Sequence, residues 1–180
     1  APSAYADIRV FEEDSVRYLL IDGGTHSSVD LTTRKSTMAY VNVIDIVKGY
    51  WSTPGRMLLI GLGGGSVVKS FAGDGWKVDA VEIDPVIVRM ARDYFELEPK
   101  DGNIYEMDGR QFLMTHEELY DVIIFDVYGS SFIPFHLASE EAFQLAKTRL
   151  NPGGVLAINI ECLGWYDPLV ASIAATIGKA

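Results

Sequence analysis

The 180-residue chain contains little cysteine, little basic charge and no long apolar run. Its single cysteine, Cys162, excludes an internal disulfide and a cysteine-based metal site, and we expect no bound metal. Fifteen Lys and Arg residues against 25 Asp and Glu residues give a net charge of −10. This balance counts against nonspecific nucleic-acid binding, which requires a basic surface, and is compatible with a cationic substrate.

No apolar stretch approaches the length needed to cross a bilayer, so we expect no membrane partner. The opening segment APSAYADIRV has no basic stretch followed by an apolar one, which predicts no secretory signal and a cytoplasmic location. Hydrophobic residues make up 48% of the chain and charged residues 22%, which is typical of a globular domain with a core.

Two regions of the chain differ in pattern. Residues 1–50 are predicted to form a small β-hairpin lid and a connecting helix, because residues 7–36 alternate like two or three antiparallel strands and Thr37–Gly49 has helical spacing. Residues 51–180 are predicted to form a Rossmann-like nucleoside-binding domain. Strands are predicted at 57–61, 78–82, 103–107, 121–126 and 154–160, and helices at 66–73, 85–95, 139–149 and 168–177. This alternation indicates the α/β class, with a parallel sheet and helices on both faces.

A glycine-rich turn lies between the first strand and the first helix of this second region. Its glycines are Gly61, Gly63, Gly64 and Gly65. Glycines allow a sharp turn and let a ligand lie against bare backbone. The helix that begins at Ser66 offers free N–H groups to an anionic group. We therefore predict that the four glycines contribute to a cofactor site.

Glu82 follows the second strand of this region and is next to Ile83, which we also assign to the cofactor site. A carboxylate at this strand end can accept both hydroxyls of a ribose. The glycine turn and Glu82 also nearly fit the pattern of an NAD site, with Ser66 in the third glycine position. An NAD-dependent oxidoreductase thus remains an alternative at this point.

Asp108 and Gly109 follow the third predicted strand. An aspartate there can accept a hydrogen bond from the adenine amino group. A glycine turn, a ribose-binding Glu and an adenine-binding Asp at three successive strand ends favour an adenosyl sulfonium cofactor over NAD. Asp108 could equally be a turn residue before glycine.

Asp126 ends the fourth strand, where it would face the transferable group, and is our candidate catalytic residue. A carboxylate there can orient an attacking nitrogen or accept its proton. Tyr128 and His136 follow in the same loop, and Tyr40 lies in the predicted connecting helix. These three are candidate substrate residues, although His136 has apolar neighbours that favour packing or hydrogen bonding over catalysis.

The chain resembles the spermidine synthases, or polyamine aminopropyltransferases, and in particular their shorter spermidine-synthase-like branch. The matching segments are Leu20–Gly23, the helix near Tyr40, Gly61–Ser66, Val81–Asp84, Met107–Gly109 with Phe112 and Leu113, Tyr120–Asp126, and Ile133–Leu137. The resemblance implies an N-terminal β-hairpin region and an S-adenosylmethionine-dependent methyltransferase-type sheet. It also implies decarboxylated S-adenosylmethionine as the cofactor, methylthioadenosine as its product, Glu82 on the ribose, Asp108 on the adenine, and assembly as a homodimer or larger oligomer.

Four positions depart from the family pattern. The acid that binds the aminopropyl amine is replaced by Gly64, and the second acid after the fourth strand is replaced by Gly129. The glutamine after the hairpin glycine is His26, and the glutamate after the helix tyrosine is Asn42. A diamine has two ammonium groups whose burial is costly without paired carboxylates. The nucleoside half of the family site is therefore kept, while much of the diamine half is lost.

These features predict a transferase that uses an S-adenosyl sulfonium cofactor and an amine acceptor, with a polyamine as one candidate. One version transfers an aminopropyl group. The other transfers a methyl group from S-adenosylmethionine and releases S-adenosylhomocysteine, and the loss of the acid at Gly64 removes an objection to it. A catalytically silent nucleoside-binding or assembly module is the alternative from another class.

A methyltransferase-type sheet usually has two further strands after the last predicted helix, and this sequence has none there. We therefore expect an uncovered edge strand. A fragment, missing residues or a partner chain over that edge would each account for it.

Overall fold

The computed structural model describes residues 2–127, 134–162, 164 and 166–180. Its N-terminal part is a three-stranded antiparallel sheet with strands β1 (Ile8–Glu13), β2 (Val16–Ile21) and β3 (Gly24–Asp30) in that order. Two-residue turns join the strands, and both residues of the second turn, Asp22 and Gly23, have positive φ angles. Such angles suit the right-handed twist of a tight hairpin. The predicted antiparallel strands are thus present.

The predicted helix over Thr37–Gly49 is shorter and changes type. Helix α1 spans Ala39–Asp45, and a 3-10 helix continues over Ile46–Tyr50. Apolar spacing indicates which face is buried, but it does not distinguish an α-helical turn from a 3-10 turn.

A parallel sheet of five strands follows in the described part of the chain. The strands are β4 (Arg56–Ile60), β5 (Lys77–Glu82), β6 (Asn103–Glu106), β7 (Tyr120–Phe125) and β8 (Leu150–Ile158). Their order is β6-β5-β4-β7-β8. The direction of winding reverses between β4 and β7, and parallel sheets bind ligands in the crevice at such a reversal. β8 is an outer strand within the described residues, as predicted.

Helices cover both faces of this sheet. They are α2 (Ser66–Gly73), α3 (Pro85–Phe95), α4 (Gly109–Thr115), α5 (Glu140–Thr148) and α6 (Pro168–Ile177). The predicted bounds of α2, α3 and α6 are confirmed. Helix α4 was not predicted, and β8 begins at Leu150 instead of residue 154.

The alternation of side chains in the central strands creates two cores. Met57 and Leu59 of β4 point to the side of α2 and α3, whereas Leu58 and Ile60 point to the side of α4 and α5. A third, smaller cluster joins the N-terminal sheet to α3, with Leu19 packed near Phe95. This contact holds β3 beside the glycine turn. None of the described helices combines the length and apolar character needed to span a bilayer.

Candidate functional site

A cavity of about 400 Å³ lies at the carboxyl ends of the central strands and under the N-terminal sheet. Seven of the predicted site residues line it together with Gly61 and Gly63: Tyr40, Glu82, Ile83, Asp108, Gly109, Asp126 and His136. Asp22 and His26 reach it from the N-terminal sheet. Gly64 and Gly65 do not line the cavity, and Tyr128 lies outside the described residues. The volume is within the range of about 300–1,000 Å³ that is usual for small-molecule sites.

Glu82 ends β5 and is 7% exposed. Its two carboxylate oxygens accept backbone N–H groups from Leu62 and from Asp84, each at 3.0 Å. Burial raises the pKa of Glu82, while these N–H donors oppose the shift. The backbone N–H of Ile83 also interacts with this carboxylate. Because an ionised carboxylate has about four acceptor positions, about one remains for another donor. Glu82 is thus fixed in orientation and retains the capacity to accept a hydrogen bond from a ligand hydroxyl.

The glycine turn must follow a narrow path between β5 and β7. Gly61 has a φ of +95°, and a Cβ atom there would lie 2.0 Å from the carbonyl oxygen of Asp126. A side chain at this position would therefore require the backbone to move. The absence of one allows the turn and the end of β7 to lie next to each other on the cavity wall.

Most amide groups of this turn already have partners within the protein. The N–H of Gly61 donates to the Val81 carbonyl at 2.8 Å, and the N–H of Leu62 donates to Glu82. The N–H of Gly64 donates to Ser27 Oγ at 2.8 Å, and that of Gly65 to the Leu62 carbonyl at 3.0 Å. Few turn amides are left to bind a ligand.

Gly64 is packed beneath the N-terminal sheet. A Cβ atom there would lie 3.0 Å from a ring carbon of Phe95 and 3.0 Å from Cβ of Ser27. Gly65 lies against Leu97 in the same way, with a Cβ contact of 3.0 Å. The position at which the resemblance predicts an acid is therefore surrounded by neighbouring side chains.

Asp108 is the N-cap residue of α4, where its Oδ1 accepts the backbone N–H of Gln111 at 2.9 Å. Its Oδ2 lies 2.8 Å from Nε2 of His136. His136 thus contacts the residue predicted to bind adenine and has no described contact with Asp126. The helix-capping role and a ligand-binding role of Asp108 are compatible, since each oxygen has a second acceptor position.

Asp126 directly follows β7 and lines the cavity on the side opposite to Asp108. Its Oδ1 accepts a hydrogen bond from Asn159 at 2.9 Å, and its carboxylate interacts with the Tyr40 hydroxyl. Burial raises the pKa of Asp126, and the interactions with Asn159, Tyr40 and His26 oppose this shift. Burial and the adjacent carboxylate raise the pKa of Tyr40, so its phenol stays protonated and can donate.

His26 is the third titratable group of the cluster that contains Asp126 and Tyr40. Burial lowers the pKa of His26, and the carboxylates of Asp126, Glu161 and Asp22 oppose the change. A lowered pKa leaves the imidazole neutral near neutral pH, where it can accept a proton. Perturbed titratable groups that face one cavity are typical of reactive sites.

Sequence reasoning did not assign His26, Ser27 or Asn159 to the site. His26 and Ser27 are in β3, and their positions depend on how the N-terminal sheet packs on α3. Asn159 comes directly after β8, which is next to β7 in the parallel sheet. The sequence signal that could have identified Asn159 is its position directly after the strand that neighbours β7, since Asp126 directly follows β7. Among the described residues, no group of three or more His, Cys, Asp or Glu side chains is arranged to hold a metal ion.

Comparisons with known proteins agree with this architecture. A family model for the spermine/spermidine synthase domain matches residues 18–180. A polyamine aminopropyltransferase from Vibrio vulnificus is 31% identical over 190 residues, covering 98% of this chain and 64% of the relative. An eEF1A lysine and N-terminal methyltransferase from Bos taurus is 34% identical over 140 residues, covering 68% of this chain and 20% of the relative.

A solved spermidine synthase in complex with the transition state analogue AdoDATO superimposes with a TM-score of 0.82. It is 22% identical, and the match covers 99% of this chain and 63% of the solved chain. This likeness concerns the fold. The chain spans less than two thirds of the length of these relatives.

The matched domain extends over most of the chain and includes the glycine turn, Glu82, Asp108 and Asp126. The chain therefore belongs to the spermine/spermidine synthase family.

Proposed function

We propose that the cavity binds decarboxylated S-adenosylmethionine and transfers its aminopropyl group to an amine acceptor, leaving methylthioadenosine. The observation that carries this proposal is the convergence of Glu82, Asp108 and Asp126 on one cavity at the strand-order reversal. Membership of the spermine/spermidine synthase family supports the same reaction class.

The nucleoside half of the cavity fits an adenosyl group. Glu82 retains acceptor capacity for a ribose hydroxyl, and Asp108 has one free acceptor position at each oxygen for the adenine amino group. Apolar side chains lie between them, including Ile83, Met107 and Leu137. They offer a flat base the dry contact that a purine requires.

The glycine turn favours the decarboxylated cofactor over S-adenosylmethionine itself. A methionine carboxylate needs several donors, but the amides of Gly61, Leu62, Gly64 and Gly65 are already used within the protein. Carboxylates of Asp22 and Asp126 also line this half of the cavity. An aminopropyl ammonium would be attracted to them, whereas a carboxylate would be repelled.

The transfer is an in-line displacement in which the acceptor nitrogen forms a bond to carbon as the carbon–sulfur bond breaks. The sulfonium supplies the activated carbon and leaves as a neutral thioether. The protein holds the two reactants close together and aligned, which alone lowers the barrier substantially. We assign Asp126 the role of orienting the acceptor, and this is supported by the contacts of its carboxylate with Asn159 and Tyr40.

The acceptor amine must lose a proton before it can attack. We assign His26 as the group that takes this proton, because it is neutral near neutral pH and lines the cavity with Asp126. Asp126 then stabilises the imidazolium electrostatically. We propose a primary amine as the acceptor in preference to a fully charged diamine, because the sequence has Gly64 and Gly129 where the family has acids.

Methyl transfer is the second candidate. It is favoured by the similarity to an eEF1A lysine and N-terminal methyltransferase and by the loss of the acid at Gly64. The same cavity would then bind S-adenosylmethionine and an amine.

Thermal stabilisation tests the proposal, since a ligand that binds only the folded protein raises its melting temperature with occupancy. We expect methylthioadenosine and decarboxylated S-adenosylmethionine to stabilise the protein more than S-adenosylhomocysteine does. Stronger stabilisation by S-adenosylhomocysteine would instead support methyl transfer. A shift with NAD alone, or with none of the ligands, would contradict the proposal.

A further inference from the structure

We infer that His136 is a positioning residue for base recognition: it holds Asp108 in the orientation that selects adenine. This inference rests on the proposed adenosyl site. It concerns a side chain whose predicted role was in substrate binding, and whose contacts lie at the nucleoside half of the cavity.

The contact between the two side chains is direct. Nε2 of His136 lies 2.8 Å from Oδ2 of Asp108. An ionised carboxylate only accepts hydrogen bonds, so Nε2 carries the proton and donates. The other oxygen of Asp108 is held by the Gln111 N–H at 2.9 Å. With one donor on each oxygen, the plane of the carboxylate is fixed.

The segment that carries His136 is also anchored to α4, the helix that Asp108 caps. Arg110 Nη1 donates to the His136 carbonyl at 3.3 Å. Leu137 is buried, and a Cβ atom at Gly109 would be in ordinary contact with it at 3.5 Å. Pro134, His136 and Leu137 all line the cavity. The imidazole therefore joins this wall of the cavity to the start of α4.

The remaining acceptor positions of Asp108 determine which base fits. Adenine presents an amino group, which donates, whereas hypoxanthine presents a carbonyl at the same place. A carboxylate in a fixed orientation accepts a hydrogen bond from the adenine amino group and repels the hypoxanthine carbonyl oxygen. A carboxylate that is free to rotate could turn away from the hypoxanthine carbonyl. Loss of the His136 contact should therefore reduce the preference for adenine over hypoxanthine as well as the affinity for adenine.

The test is calorimetric titration of methylthioadenosine and methylthioinosine into the wild-type protein, His136→Ala and His136→Gln. We expect the wild type to prefer the adenine ligand by roughly 10-fold or more. His136→Ala should weaken methylthioadenosine binding roughly 3- to 10-fold and reduce the preference. His136→Gln retains a side-chain N–H donor and should recover most of the preference. Melting curves of the free variants control for folding.

A double-mutant cycle with Asp108→Asn separates positioning from a purely structural role, and Asn can still cap α4. If His136 acts through Asp108, His136→Ala should change affinity by no more than about twofold in the Asp108→Asn background. Additive effects, or an unchanged preference in His136→Ala, would overturn the inference and leave the adenosyl site standing. Absence of methylthioadenosine binding by the wild type would refute the proposed function as well.

Discussion

Substitution of Gly64 by alanine should destabilise the protein, because the new methyl group would enter a filled space. Its Cβ would lie 3.0 Å from both Phe95 and Ser27, closer than ordinary van der Waals contact. Overpacking of this kind costs about 1–3 kcal/mol. The φ angle of Gly64 is outside the left-handed region, so alanine can adopt it. The substitution also lowers the conformational entropy of the unfolded chain, which stabilises the folded protein by about 0.4–1 kcal/mol. With the midpoints of these two ranges, the expected net loss is about 1.3 kcal/mol.

Urea denaturation measures this loss, and the melting temperature should fall by about 2–4 °C for each kcal/mol in a chain of this size. Gly73→Ala is the matched control. Gly73 ends α2, and a Cβ atom there would meet nothing within 4 Å. Alanine at Gly73 should therefore stabilise the protein by about 0.5–1 kcal/mol.

Stabilisation by Gly64→Ala similar to that by Gly73→Ala would refute this account of the glycine turn. Gly64→Asp should be more damaging than Gly64→Ala, because the carboxylate would also be buried beside Phe95 without a partner. The family's acid cannot, on this reasoning, be restored by one substitution. A stable Gly64→Asp variant with increased turnover would contradict that conclusion.

Three further predictions concern the cavity. Glu82→Gln should weaken methylthioadenosine binding by roughly 10- to 100-fold in calorimetric titration, because hydrogen bonds to a charged group contribute about 1.5–3 kcal/mol; unchanged affinity would show that the ribose lies elsewhere. Asp126→Asn should flatten the pH dependence of the free energy of unfolding. Since burial raises the folded pKa of Asp126, the native state binds more protons, and wild-type stability should fall as pH rises from its ordinary value near 3.8 through the raised value; equal slopes for both proteins would contradict this. His26→Gln should reduce kcat roughly 10²- to 10⁴-fold and remove an ionisation from the acidic limb of the pH profile of kcat/KM. The same pH profile in the wild type and the variant would exclude His26 as the proton acceptor.

The strand–turn–helix order around the glycine turn was predictable from the sequence because its signals are local. Apolar runs bounded by Gly61 and by Asp84 mark the ends of strands and helices, and parallel strands place their carboxyl ends along one edge. This was sufficient to bring Glu82, Asp108 and Asp126 to one cavity. Helix α4 was missed because it has seven residues and starts with glycine, a poor helix former. The pair Asp108 and Gln111, three residues apart, was a capping signal that could have revealed it.

The contacts that give the site its chemistry were not predictable, because they join residues far apart in the chain. Ser27 bonds to Gly64 across 37 positions, and His136 bonds to Asp108 across 28. Such pairs depend on how the N-terminal sheet and the loop after β7 dock on the central sheet. Residue type alone suggested packing or hydrogen bonding for His136, and it could not name Asp108 as the partner.

The sequence also could not reveal that most N–H groups of the glycine turn already donate to acceptors within the protein. A glycine-rich turn before a helix is usually interpreted as a set of free amides. Here Ser27 and Glu82 take two of these amides, and backbone carbonyls take two more. The cofactor preference that we propose follows from this difference.

The most direct test of the account is the product formed when the protein is incubated with a primary amine and either decarboxylated S-adenosylmethionine or S-adenosylmethionine. Chromatography distinguishes methylthioadenosine from S-adenosylhomocysteine. The account predicts amine-dependent release of methylthioadenosine from the decarboxylated cofactor, reduced in His26→Gln and Asp126→Asn. Release of S-adenosylhomocysteine alone, or of neither product while methylthioadenosine still binds, would contradict it.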